Sequence, residues 1–430
     1  VFGLFSSTAQ SLALQLDAAD PLAAYREHFY LGPGTVYMDG NSLGILSRSA
    51  ESAVQRALRQ WRDLAIGGWL EADPPWFSLG EQLGARMAGL VGADSDEVVV
   101  TGTTTVNLHS LLATFYRPSG SRRRILADEL NFPSDLYAMQ SHLALRGMDP
   151  GRDLILAASR DGRTISEEDL IAAMDETVAL VVLPSVLYRS GQLLDIARLT
   201  GAAHAQGIAI GFDLCHSAGV IPHQLSADDV DFAFWCTYKY LNSGPGGPAA
   251  LYVNRRHHGA PVGMAGWWGY RKDEQFDMLT EWRPAGHAGG WQISTTPVLG
   301  TAALLGALEV TCAAGIETIR AKSLQLTSYL MYLIDEVLVP SGLGYGIGTP
   351  REPERRGGHV AVEHPEAVRV VKALRSRGVV PDFRPPDIIR LAPVPLYNTY
   401  AEVWQVVEHL RQIAAEREYE RFPVGREVVS

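Results

Sequence analysis

Lys239 stands where an apolar run (Val230, Phe232, Phe234) turns polar at Thr237-Tyr238-Lys239 and breaks into the loop Ser243-Gly244-Pro245-Gly246-Gly247. An amine at the end of a buried strand, entering a glycine loop, is poorly placed as surface charge, and a desolvated amine attacks carbonyls. Upstream, a second apolar run, Ile208–Phe212, ends in Asp213-Leu214-Cys215-His216. A strand-end aspartate ahead of a strand-end lysine is what a pyridoxal phosphate site needs: a carboxylate for the pyridine nitrogen and an amine for the aldehyde. Earlier, Gly102-Thr103-Thr104-Thr105 opens a helix and offers N–H groups, hydroxyls and a positive dipole end suited to a phosphate. Thr as an ordinary helix cap is an equal reading of that turn. Phe132, in the loop Asn131-Phe132-Pro133-Ser134-Asp135, can stack on a planar ring or simply pack. The order and spacing of these groups carry the reading; none of them does so alone.

Such groups need a scaffold that gathers them. Apolar runs predict strands at Glu97–Thr101, Arg124–Ala127, Leu154–Ala157, Val178–Leu183, Ile208–Phe212 and Asp231–Cys236, with Ala249–Val253 short enough to run antiparallel. Helical spacing falls between them at 106–116, to Arg146, at Glu167–Glu176 and at Ile196–Gln206. Strands alternating with crossover helices imply an α/β fold with a mainly parallel sheet covered on both faces, whose ligands bind outside the strands' carboxyl ends. Thr103–Thr105, Phe132–Asp135, Asp213, His216, Tyr238 and Lys239 all fall there. Residues 1–50 read as an N-terminal arm, 51–300 as a large domain and 301–430 as a smaller α+β domain. Trp69 and Trp76 lie in a Gly/Pro-rich segment read as loop, and each is either a ligand wall or core.

The 430 residues suffice for a large core, and 47% apolar with 20% charged residues is an ordinary globular composition. A net charge of −11 without a basic cluster argues against nucleic acid and anionic membranes as partners. No apolar run approaches the roughly eighteen residues of a membrane span, and no secretory signal is evident. Three cysteines without a C-x-x-C pair suggest buried thiols in a reducing cytoplasm, and no metal site is assigned.

The stretch Asp213–Gly219 followed by Trp235–Gly247 closely resembles kynureninase, a fold-type-I pyridoxal phosphate hydrolase. Gly40-Asn41-Ser42-Leu43-Gly44, Thr105–His109, Phe132–Asp135, Gly266-Trp267-Trp268-Gly269, Trp291–Thr295 and Arg390–Asn398 are similar to the same family in the same order. The resemblance implies the fold-type-I PLP-transferase architecture, with a mainly parallel mixed seven-stranded sheet in the large domain. It implies that Lys239 holds the cofactor covalently and later moves the substrate Cα proton, with Tyr238 as acid–base helper or phosphate ligand. Asp213 and His216 would serve the ring, Thr104, Thr105, Asp135 and Tyr238 would surround phosphate or ring, and Phe132 would stack. Trp267 and Thr295 would come from the neighbouring subunit of a homodimer. Arg390 would bind the substrate carboxylate, and Asn41, Ser42, Trp69 and Ser294 would also touch substrate. Thr104 stands where the family is usually aliphatic, and Pro184 where relatives can carry a hydroxyl that Ser185 could replace.

The implied reaction is hydrolysis of L-kynurenine to anthranilate and L-alanine, in tryptophan breakdown, by a cytoplasmic enzyme. Trp69, where hydroxy-preferring members have His, favours plain kynurenine over the 3-hydroxy derivative. Alternatives remain: a 3-hydroxykynurenine-preferring enzyme of a biosynthetic pathway, an aminotransferase, or a non-catalytic protein on the same fold. A desulfurase would need a cysteine on a mobile loop, whereas Cys215, Cys236 and Cys312 fall in strand and helix patterns.

Overall fold

The computed structural model describes residues 2–425. Its centre is a seven-stranded sheet of β1 (Val98–Thr101), β2 (Arg124–Asp128), β3 (Leu154–Ala157), β4 (Val178–Pro184), β5 (Ala209–Asp213), β6 (Phe232–Cys236) and β7 (Ala249–Val253). The strand order is β1-β7-β6-β5-β4-β2-β3, with β7 antiparallel to both of its neighbours and the remaining pairs parallel. Strands buried on both faces carry continuous apolar sequence, which is why β4 reads Val-Ala-Leu-Val-Val-Leu and β6 reads Phe-Ala-Phe-Trp-Cys. Side chains then alternate between two cores. Phe212, Ala233 and Trp235 face helices α1 (Leu79–Ala88) and α2 (Ile196–Ala205), whereas Phe232 and Phe234 face Thr104–Phe115 and Pro133–Leu145.

Several boundaries differ from the sequence reading, each for a local reason. The helix Thr104–Phe115 starts two residues early because extended Thr103 already accepts the first helical bond, from the Asn107 N–H. The helix Glu167–Ala172 stops short of Glu176 because the Asp175 carboxylate takes the Thr177 N–H into a side-chain turn. Trp69 lies not in a loop but in a single helical turn, Gly68–Glu71; a Cβ on Gly68 would stand 2.2 Å from the Trp76 ring, so only glycine lets that turn seat on it. Trp76 is core, and Trp69 is half-buried.

The C-terminal part forms a second core. The order of its four-stranded antiparallel sheet is β10-β11-β9-β8, built from β8 (Gly346–Ile347), β9 (Val360–Glu363), β10 (Asp382–Arg384) and β11 (Ile388–Leu391). Helices Ile316–Leu333, Ala367–Ser376 and Tyr400–Ala415 cover it, together with Ala9 and Ala13 of the N-terminal helix. The helix Val298–Ala314 instead packs on Arg48–Leu64 and sends Leu304, Leu305 and Leu308 into the large-sheet core. A separate cluster including Leu22, Phe29, Val220, Tyr240, Val310, Leu396 and Tyr397 joins arm, large sheet and C-terminal part. Among the described residues, no single helix is long and apolar enough to cross a membrane.

Candidate functional site

Outside the carboxyl ends of β4, β5 and β6 lies a cavity of about 230 Å³. Asn41, Ser42, Thr104, Thr105, Phe132, Asp135, Asp213, His216, Tyr238, Lys239 and Arg390 all line it, although they come from segments far apart in sequence. Adjacent parallel strands account for half of this convergence. Asp213 pairs in register with Pro184 and Phe234, so β5 ends beside the chain that carries Tyr238 and Lys239. The Asp213 carboxylate is steadied locally, accepting the Cys215 N–H at 2.7 Å. The lysine turn is closed by the Ser243 N–H on Thr237 O at 3.1 Å and by the hydroxyl pair Thr237–Ser243 at 2.6 Å. The loop 39–44 is docked onto that turn. Gly44 N–H donates to Tyr238 O at 2.7 Å, and Ile45 N–H to Asn242 Oδ1 at 3.1 Å.

Charge is distributed unevenly around the cavity. Lys239 Nζ donates to His216 Nε2 at 3.0 Å. Burial, reinforced by the Lys239 charge, holds His216 well below the usual imidazole range, so the ring is neutral and serves as acceptor. Asp135 faces Asp213, and burial together with that neighbouring carboxylate pushes Asp135 well above the ordinary carboxyl value. Burial also raises the Tyr238 phenol, with the thiols of Cys236 and Cys215 adding to the effect. Thr103 provides no side-chain cap for its helix, leaving first-turn N–H groups beside Thr104 and Thr105. The Thr105 and Ser134 hydroxyls are paired at 2.7 Å. Phe132 packs edge-on against Tyr188, with ring centroids 5.4 Å apart. Asn41 is fully buried with both amide atoms unpaired, as is Asp135 Oδ2, so polar groups wait on a polar partner.

Arg390 is almost wholly buried and points into the same space. Its guanidinium contacts Asp382, donates to Tyr188 O at 2.7 Å and to Ser42 Oγ at 2.9 Å. Four expected site residues stay apart from this cavity: Trp69, Trp267, Ser294 and Thr295 are not in its wall. Trp69 packs on Trp268 and Trp76 at 5.3 and 5.8 Å, Trp267 is 43% exposed, and Ser294 and Thr295 are exposed. Ser185 does not face the cavity either, since its hydroxyl is engaged by Asp213 O at 3.0 Å and Ser217 at 2.8 Å. Ser134, Tyr188 and Arg384 line the cavity without having been singled out from sequence. A larger cleft, about 860 Å³, opens elsewhere between Ser166–Arg198 and Glu354–Arg355; it is lined by charges of both signs and holds none of these groups.

A mostly parallel seven-stranded sheet with lysine and aspartate meeting at its carboxyl edge, plus a C-terminal α+β part, is the fold-type-I architecture of pyridoxal phosphate enzymes. Solved structures share it at low identity. A cysteine desulfurase from Thermococcus onnurineus NA1 matches with a TM-score of 0.76 and 16% identity over 92% of this chain and 98% of that one. The cysteine desulfurase CsdA from Escherichia coli matches with 0.73 and 18% over 93% and 99%. Sequence comparison is more specific. The family described as Kynureninase C-terminal domain matches residues 319–410. Kynureninases from Geobacillus thermodenitrificans and Bacillus anthracis are 56% and 54% identical over 418 residues, 97% of this chain and 97% of each relative. The chain belongs to the kynureninase family.

Proposed function

We propose that this protein hydrolyses L-kynurenine to anthranilate and L-alanine, using pyridoxal phosphate bound through Lys239. The observation that carries the reading is the pairing of Lys239 with a neutral His216 in a cavity that also presents Asp213 and Arg390. The residues present fit the cofactor. Asp213 and Asp135 form an acidic end suited to a protonated ring nitrogen, and Phe132 is an apolar wall for the ring. The uncapped helix start at Thr104 and Thr105, with Ser134, suits a phosphate. When bound, pyridoxal phosphate supplies an electron sink that stabilises negative charge on the substrate carbons.

The chain's own groups supply the rest. Arg390 anchors the substrate carboxylate with a planar guanidinium that a lysine could not replace, and Asn41 and Ser42 stand beside it. Lys239 would hold the cofactor, and its amine is the base placed to take the substrate's Cα proton. His216 is neutral and accepts a hydrogen bond from the amine, so it orients Lys239 without adding charge. Tyr238, next to Lys239 in the cavity wall, is placed to protonate Cβ once water has added to the aryl ketone and the carbon–carbon bond breaks.

A second copy of the chain completes the site in this reading. Trp267 and Thr295 reach the partner's phosphate, and Trp69 and Ser294 border the aryl ring. The exposed rings of Trp267 and Phe276, 5.7 Å apart, form an apolar pair that supports such a homodimer. The indole of Trp69 offers no acceptor for a ring hydroxyl, which favours plain kynurenine, degraded in tryptophan catabolism in the cytoplasm. Purified protein given kynurenine, with and without added pyridoxal phosphate, tests this. Equal anthranilate and alanine, dependent on cofactor, are expected. A keto acid without anthranilate would replace the reading with transamination, and faster turnover of 3-hydroxykynurenine would reverse the ring preference.

A further inference from the structure

Arg390 does not act on its cavity wall alone. Strands β10 and β11 pair antiparallel with Asp382 directly opposite Arg390 and Arg384 opposite Ile388. Residues two apart on a strand share a face, as do directly opposed residues. The register therefore places Asp382, Arg384 and Arg390 on one face of the small sheet. Arg384 and Arg390 line the cavity, and Asp382 lies behind them with a wholly buried side chain. One Asp382 oxygen, Oδ2, meets both guanidiniums, Arg390 through Nε and Nη2 and Arg384 at 3.2 Å. The Arg390 side chain is 1% exposed and that of Arg384 27%. Asp39 stands nearby, and burial followed by the Asp382 charge pushes its carboxyl up to about 6.

We propose that Asp382 is a positioning residue that holds Arg390 and Arg384 as a paired cationic wall for the substrate carboxylate. The inference rests on the reading of Arg390 as the carboxylate anchor and adds two residues to it. Asp382 fixes the Arg390 guanidinium along its Nε edge, while Tyr188 O and Ser42 Oγ hold the opposite side. Arg384 brings a second guanidinium to the cavity wall beside Arg390.

Spectral titration of the holoenzyme separates the charge from the fold. L-alanine carries the product carboxylate, and ethylamine is the same amine without it. Arg384→Gln is expected to weaken L-alanine about tenfold and leave ethylamine unchanged, the loss of one charge-assisted contact. Asp382→Asn keeps the side-chain shape and removes its charge. It is expected to leave L-alanine binding unchanged or tighter while kcat for kynurenine falls about tenfold, because Arg390 is attractive but no longer held. Asp382→Glu is expected to recover part of kcat. If Arg384→Gln shifts L-alanine affinity by less than twofold, or if Asp382→Asn weakens both amines alike, the inference fails. Arg390→Lys distinguishes the two levels. Should it weaken L-alanine while Arg384→Gln does not, only the paired wall is lost; should it leave both amines unaffected, the carboxylate anchor itself is wrong.

Discussion

Gly44 gives the sharpest structural prediction, because the loop carrying Asn41 and Ser42 reaches the lysine turn only through a residue without a side chain. A Cβ at Gly44 would stand 2.4 Å from Lys239 O, 2.3 Å from Asn242 Oδ1 and 2.8 Å from Asn242 Cα. Ordinary contact begins near 3.4 Å, so Gly44→Ala must part the loop from the Lys239 turn by about 1 Å. Two of the three obstructing atoms are backbone, and a rotamer change does not relieve them. A displacement of about 1 Å at catalytic groups costs on the order of 100-fold in rate, or about 2.7 kcal/mol of barrier. Overpacking adds roughly 1–3 kcal/mol of lost stability. The assay is anthranilate release at saturating kynurenine, with thermal melting to confirm that the variant is folded. Gly89, in the right-handed helical region with nothing within 4 Å of its Cβ position, is the matched control, and Gly89→Ala is expected to be silent. A folded Gly44→Ala enzyme within about threefold of the parent would refute the argument that this loop's approach sets the lysine geometry.

Arg390→Lys keeps the charge but loses the planar guanidinium, so KM for kynurenine should rise at least about tenfold; an unchanged KM would remove Arg390 from substrate binding. Trp267→Ala and Lys239→Ala, each impaired alone, should recover activity on mixing if Trp267 serves the partner's site; no recovery after verified subunit exchange would place Trp267 elsewhere. His223 is buried, donates to or accepts from Ser217 at 2.8 Å, and burial lowers it from the usual imidazole value to about 4. A depressed imidazole contributes stability present above the unfolded value near 6.5 and lost as pH falls toward 4, about 1.4 kcal/mol per pH unit. Asp128, raised by burial to about 7, works in the opposite direction over the same range. The test is therefore the difference between parent and His223→Gln in urea melts, which should shrink from pH 7 to pH 4.5; a constant difference would contradict the buried neutral ring.

The chemistry was most legible where local sequence and fold agree. The β6 strand, the polar turn and the glycine loop mark Lys239, and the matching end of β5 marks Asp213, because buried parallel strands leave continuous apolar runs that stop at the site. Groups placed by tertiary register were hidden. Asp382 and Arg384 sit in a short proline-flanked segment that matches no motif, and only antiparallel pairing with β11 puts them beside Arg390. His359 stands just ahead of β9 and carries no signal of its own in the sequence. Its ring stands 5.8 Å from His216, and burial with the Arg390 charge lowers it to about 3. Trp69 reads as loop because Gly68 suggests one, although that glycine is there for contact with Trp76. Trp267 and Thr295, expected at the site from a neighbouring subunit, lie outside the cavity that the chain forms by itself.

The central claim is that the amine of Lys239 carries the cofactor. Borohydride reduction of the pyridoxal phosphate-loaded protein, followed by proteolysis and peptide mass mapping, tests it directly. One phosphopyridoxyl adduct is expected, on the peptide containing Thr237-Tyr238-Lys239. An adduct at Lys272, Lys322 or Lys372 instead, or none on a protein that still cleaves kynurenine, would contradict it.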